Sequence, residues 1–293
     1  LLPYLCAKIE NAVKSKYIIP VGIAITLVAV MFFFGKTSTP HKDIDLTASG
    51  PMNTDHTHAE PANFDSLLMA AKKKLSPTEQ AAIVAEENSI TRGDVKNQQI
   101  VSYENLGKLW LKKNSAIAAY YFAESGKLEN SEKKLNFAAH LISEALPEEA
   151  DEGKKMWMTN IAAESYNRSL EINPNNDTVK IDLALLYVNT GTEPMKGIQL
   201  LLGIVEKDPK NIQANVILGK FAVESGQFDK AIERGNKILS FDKNNLEAHL
   251  FLAEAYKRKG EKEKAIELFR AAEKIMDNPD FSRDIDEYIK SFQ

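Results

Sequence analysis

The feature that most constrains this chain is a self-match at a step of 34 residues in its C-terminal third. Leu218-Gly219 recurs as Leu252-Ala253, Gly226 as Gly260, Ala231-Ile232 as Ala265-Ile266 and Ala214 as Ala248. A period of this length, carried by small and apolar residues, predicts one helical hairpin per repeat. A single hairpin cannot bury its own apolar face, so neighbours must stack side by side. Each unit reads as a first helix, a tight turn with glycine, and a second helix. Glycine suits that turn because the residue after a helix end often takes a left-handed backbone. Gly219 and Ala231 are expected to be small because the two helices of their hairpin cross there. An upstream copy carries Leu183-Ala184, Tyr187, Gly191, Gly197-Ile198 and Leu201. Its spacing is 35, the extra residue falling in the Thr192-Glu193-Pro194 turn.

These residues resemble the tetratricopeptide repeat, whose pattern runs aromatic, Leu-Gly, Tyr, turn Gly, Ala, aromatic, Ala, Pro. The turns between repeats fit as well: Asn173-Pro174-Asn175-Asn176, Asp208-Pro209-Lys210-Asn211 and Asp242-Lys243-Asn244-Asn245, the last without its proline. Lys180, Asn215 and His249 stand where the family has its first aromatic, and Gly235 where a later one is usual. These departures are expected to loosen packing locally without erasing the period. The resemblance weakens upstream. Leu106-Gly107, Trp110 and Ala119 hold family positions between Val101 and Gly126. A second degenerate unit, about 133–174, places Phe137, Ala138 and Leu141 on its first helix and Ala162, Tyr166 and Leu170 on its second. Between them the acidic stretch Pro147 to Lys155 is either a contact loop or a neutral surface extension. Past Pro279 a final helix, Ser282 to Phe292, would lay Phe281, Ile285, Tyr288 and Ile289 over the open end of the stack.

Ahead of the repeats, Ser76-Pro77-Thr78-Glu79 marks a helix start: Ser caps, Pro takes the first helical position, and Glu closes a capping box. A short amphipathic helix, Phe64 to Leu75, precedes it. Earlier still, Tyr17 to Gly35 contains no charged residue between Lys16 and Lys36. As a helix those residues span roughly 28 Å, the thickness of a bilayer's hydrocarbon core. The run is too long for a signal peptide's apolar region, and Phe32-Phe33-Phe34 is a poor approach to a cleavage site, so a retained anchor is the reading. Lys8, Lys14 and Lys16 before it against Lys36 and Lys42 after it favour a cytoplasmic N-terminus. The polar stretch that follows, broken by Pro40, Gly50, Pro51 and Pro61, reads as a tether. His56 and His58 there, with Asp55 and His41, could suggest a metal site. Imidazoles on a mobile chain lack the supporting shell that fixes ligands, so solvated linker residues are expected instead. Cys6 is the one cysteine, which excludes an intrachain disulfide.

The layout is therefore an N-terminal cytoplasmic segment (1–16), a transmembrane helix (17–35), a flexible linker (36–63), lead-in helices (64–99), degenerate repeats (100–176), three tetratricopeptide repeats (177–279) and a capping helix (280–293). The fold class is all-α, an α-solenoid of tetratricopeptide-like hairpins behind a single membrane helix. No nucleophile elbow, P-loop, Gly-x-Gly or zinc-ligand spacing occurs, and His140 and His249 are expected to be half-buried packing residues. An enzyme is not expected, nor a cofactor, a metal or a small-molecule substrate. A net charge of −4 argues against a nucleic-acid partner. The resemblance implies a protein or peptide ligand in a concave groove lined by the first helix of each repeat. Carried over by position, that groove holds Ile181, Leu185 and Val188, then Val216, Lys220 and Val223, then Leu250, Glu254 and Lys257. The aliphatic character of Ile181 and Leu185 does not suit a carboxylate clamp, so an apolar helix or extended segment is the expected ligand. The expected function is a scaffold for protein interaction or complex assembly at the bacterial inner membrane, with the repeats in the periplasm. A cytosol-facing import receptor and an accessory factor of cytochrome c assembly or protein export are the alternatives.

Overall fold

The computed structural model describes residues 60–92 and 95–292, and among them every regular element is helical. The expected membrane helix 17–35, most of the tether, Cys6, His41, His56 and His58 lie outside the described residues. Among the described residues no helix is long and apolar enough to cross a membrane.

The described helices fall into two compact units divided after Pro209. The first holds α1 (Phe64–Lys72), α2 (Pro77–Arg92), α3 (Lys96–Trp110), α4 (Ser115–Glu129), α5 (Glu132–Ala145), α6 (Glu152–Ile172), α7 (Asp177–Thr190) and α8 (Pro194–Lys207). The second holds α9 (Ile212–Glu224), α10 (Phe228–Phe241), α11 (Leu246–Arg258), α12 (Lys262–Met276) and α13 (Pro279–Lys290). From α2 onward, consecutive helices within each unit pack on one another.

The starts and stops follow from local chemistry. Asn176, Asn211 and Asn245 close the turns between repeats, and each accepts a hydrogen bond from the backbone N–H three residues on. The turn motif is thus a helix N-cap, recurring with the repeat. Gly191, Gly226 and Gly260 take positive φ (67°, 74° and 82°) at the hairpin turns, where a side chain would be strained. The capping box forms as written: Glu79 accepts from the Ser76 backbone N–H at 2.9 Å, and Ser76 Oγ accepts from the Glu79 N–H at 3.4 Å. The last helix begins earlier than Ser282. Pro279 takes its first position, and Asn278 accepts from the N–H groups of Asp280 and Phe281.

The polar residues at the family's aromatic position are held locally: two turn back onto their own caps and Lys180 onto the first residue of its helix. Asn215, fully buried, donates to Asn211 O at 2.8 Å and accepts from Arg234 at 3.2 Å. His249, buried, lies 2.9 Å from Asn245 O through Nδ1. Lys180 pairs with Asp177 at 2.7 Å. Gly235 likewise marks tight packing. A Cβ there would lie 2.3 Å from Leu252 Cγ, so the leucine of the next hairpin fills the space an aromatic would take. Gly219 is small for a different reason from the expected crossing with Ala231. Its missing Cβ makes room for the ring of Phe251, 2.7 Å from where that atom would sit, on the first helix of the next hairpin.

In the degenerate region Ala138 and Leu141 face the core as expected, but Phe137 does not. Leu135, Ala138, Ala139 and Ile142 form the buried stripe of α5, whereas Phe137 is exposed and meets Phe122 edge-on at 5.1 Å. The i, i+3, i+4, i+7 spacing sets this face, and Phe137 falls beside it. The acidic stretch after α5 is neither a free contact loop nor a bare extension. Gly153 O accepts from the Ala62 N–H at 2.9 Å, which ties the start of the lead-in to the beginning of α6. Phe64 anchors the rest of α1, stacking on Tyr120 (centroids 3.7 Å apart) and lying 5.9 Å from Trp157.

Candidate protein-binding faces

The nine groove candidates lie on the first helices of three hairpins, and the structure does not treat them alike. On α7, Ile181 is buried while Leu185 and Val188 are half-buried. On α9, Val216 and Val223 are buried in a cluster with Phe251 and Leu252, and half-buried Lys220 donates to Glu247 at 2.6 Å. On α11, Leu250 is fully buried against Phe281, Ile285 and Ile289 of α13. Glu254 is buried beside it and accepts from Arg258 Nε and from the Tyr288 hydroxyl, both at 2.7 Å. Lys257 is 2.9 Å from Glu254 and sits over the Tyr288 ring, 4.3 Å from its centroid.

Five candidates are therefore packing residues rather than open surface: Ile181, Val216, Val223, Leu250 and Glu254. For the last hairpin the reason is direct. The terminal helix packs on α12 through Phe269 and Ala272 and reaches over to α11, where Phe281, Ile285 and Ile289 share a core with Leu250 and Ala253. Burial pushes the Glu254 carboxyl up, but the hydrogen bonds from Arg258, Tyr288 and Lys257 outweigh it and hold the group below the usual carboxylate range. The polar end of the expected stripe is thus an ionised latch between α11 and α13.

Sequence reasoning missed a polar patch on α5 and α7. His140 is not half-buried: its side chain is 64% exposed and lies 3.3 Å from Glu144. Half-buried Asp182 on α7 has its carboxyl pushed up by burial, and His140 opposes that shift. Reading the Leu135–Ile142 stripe first would have placed His140 on the open side of α5. Among the described residues no cluster of histidine, cysteine and carboxylate groups could hold a metal ion.

The recurrent caps, left-handed turn glycines and interlocking small residues define a helical-hairpin repeat protein. The tetratricopeptide repeat model matches residues 222–283, from the end of α9 into α13. Over 104 residues the chain is 30% identical to the mitochondrial import receptor subunit TOM70 of Rattus norvegicus and of Mus musculus. That segment is 36% of this chain but spans only 16% of those receptors' length. Among solved structures, one of YrrB, a TPR protein with an unusual peptide-binding site, is 17% identical. It covers 64% of this chain and 91% of its own, with a TM-score of 0.45. A MamA structure is 18% identical over 62% of this chain and 93% of its own, with a TM-score of 0.48.

Proposed function

We propose that the chain is a membrane-anchored tetratricopeptide scaffold that holds polypeptide partners at a bacterial inner membrane, with its repeats in the periplasm. The observation that carries this reading is the match of residues 222–283 to the repeat model, joined to an uncharged run long enough to span a bilayer at 17–35. The run 17–35 is the anchor and 36–63 the tether. The partner meets the α7 face of the first unit through Leu185 and Val188, the candidates there that keep exposed surface; in the second unit, taken by itself, Lys220 on α9 and Lys257 on α11 keep some. A face preset by helix packing lowers the ordering cost of binding an apolar segment. Crosslinking in intact membranes followed by purification through the full chain should recover defined partners. Leu185→Glu with Val188→Glu should abolish that recovery at unchanged helicity. Undiminished recovery from the double variant would refute the assignment of the face.

The similarity to TOM70 favours a second reading, a cytosol-facing receptor for protein import. Protease added to intact spheroplasts or organelles separates the two. In spheroplasts a periplasmic repeat region is cleaved, whereas a cytosol-facing one is cut only after the membrane is broken. In organelles a cytosol-facing receptor is cleaved at once.

A further inference from the structure

A cavity of about 450 Å³ opens between the lead-in helices and the first two hairpins. That is within the size range of small-molecule sites. Its apolar wall includes Trp110 and Trp157, the only two tryptophans in the chain. Its polar lining carries Lys74, Lys113 and Lys154 against a single carboxylate, Glu79. Lys113 pairs with Glu79 and Lys154 with Glu149, while Lys74 stands exposed with no ion pair among the described residues. Three helix N-termini contribute a cap or first-turn residue to the lining: Glu79 from α2, Asn114 from the cap of α4 and Lys154 from α6. Trp110 is 1% exposed and its Nε1–H has no hydrogen-bond partner, an uncommon state for a buried donor.

We infer that this cavity binds a carboxylate carried on an apolar body. The indole walls and the aliphatic carbons of α1 take the apolar part. Lys74 takes the charge, with Lys113 and Lys154 beside it in the lining. This inference concerns the lead-in region and does not rest on the partner face proposed above. Hexanoate is the probe, with hexanamide as its uncharged counterpart, titrated into the full chain in lipid nanodiscs. Both tryptophans line the site, so their fluorescence reports occupancy directly. Hexanoate should give a saturable change with a Kd of about 1 mM or below. Hexanamide should bind at least about tenfold more weakly, because it leaves the positive lining uncompensated. Lys74→Glu, at an exposed position that leaves the fold intact, should weaken hexanoate about tenfold. Ala70→Phe, also on the exposed lining, should abolish binding by filling the space. A short peptide ending in a free leucine carboxylate, compared with its C-terminal amide, identifies the source. Binding of the free-acid peptide tighter than hexanoate assigns the carboxylate to a polypeptide terminus, and weaker binding assigns it to a free fatty acid. Absence of a saturable signal at millimolar hexanoate, equal binding of hexanamide, or an unaltered Lys74→Glu titration overturns the inference.

Discussion

Gly197 on α8 offers the sharpest test of the packing argument. Its Cβ, if present, would lie 2.7 Å from the Ala184 carbonyl oxygen and 3.3 Å from the Ala184 Cα, with Val188 Cγ2 at 3.0 Å. The first of these is closer than real Cβ atoms come, and the atom it meets is backbone, which cannot rotate away. Gly197→Ala must therefore push α8 off α7. Two opposing effects set the outcome. Replacing glycine by alanine inside a helix gains about 1 kcal/mol. Overpacking a close contact costs about 1–3 kcal/mol, and a backbone neighbour places this site toward the upper end. A net loss of about 1–2 kcal/mol is expected. Gly203 on the same helix has nothing within 4 Å of its would-be Cβ. Gly203→Ala should then show the propensity gain alone, about 1 kcal/mol of added stability. The propensity contribution is common to both variants and cancels in their difference, which isolates the packing cost. Urea unfolding of the two variants beside the parent chain, followed by circular dichroism at 222 nm, measures it. If Gly197→Ala proves as stable as Gly203→Ala, the close crossing at Ala184 is not what keeps this position glycine.

Two further predictions concern the second unit. Asn245→Ala removes the cap of α11 and should cost about 1 kcal/mol in the same unfolding experiment, whereas Asn245→Asp should cost much less. Glu254 has a folded-state pKa below its ordinary value of 4.5, so its latch stabilises fully above that value and is lost as pH falls through the folded pKa. Glu254→Gln should lower stability at pH 7 by about 2 kcal/mol and flatten the decline of the second unit on acidification; an equal acid loss in both proteins would refute the latch.

The period was legible because its markers are chemically unusual. A left-handed turn admits few residues besides glycine, and an asparagine that caps a helix has a fixed offset from the helix it starts. Gly191, Gly226 and Gly260 therefore announced the hairpins before any packing was known. The reasons for smallness were less legible. Gly219 and Gly235 look alike in the sequence, yet one accommodates a phenylalanine of the next hairpin and the other a leucine. Which neighbour fills a gap depends on how hairpins pack, and a family position cannot supply that. The degenerate hairpin misled for a related reason. Phe137 is the largest apolar residue on α5 and yet is exposed, while four smaller residues at helical spacing, the expected Ala138 among them, carry the core.

The same limit explains the groove. Ile181 and Leu185 are both aliphatic and both on α7, but one is buried and the other retains surface. Aliphatic side chains satisfy a binding face and a packing face equally well, so residue type alone cannot separate them. Leu250 and Glu254 show what settles it. The amphipathic terminal helix buries its own Phe281, Ile285 and Ile289 against α12 and, with them, Leu250 on the face the family would give to a ligand. A repeat array that ends in such a helix has one first-helix face fewer to offer than its repeat count implies. In the first unit the faces that keep exposed side chains include α7 and the polar side of α5. On the proposed face Leu185 and Val188 share α7 with Asp182, whose carboxyl senses His140 of α5, so the apolar segment proposed above would meet an ionisable edge there.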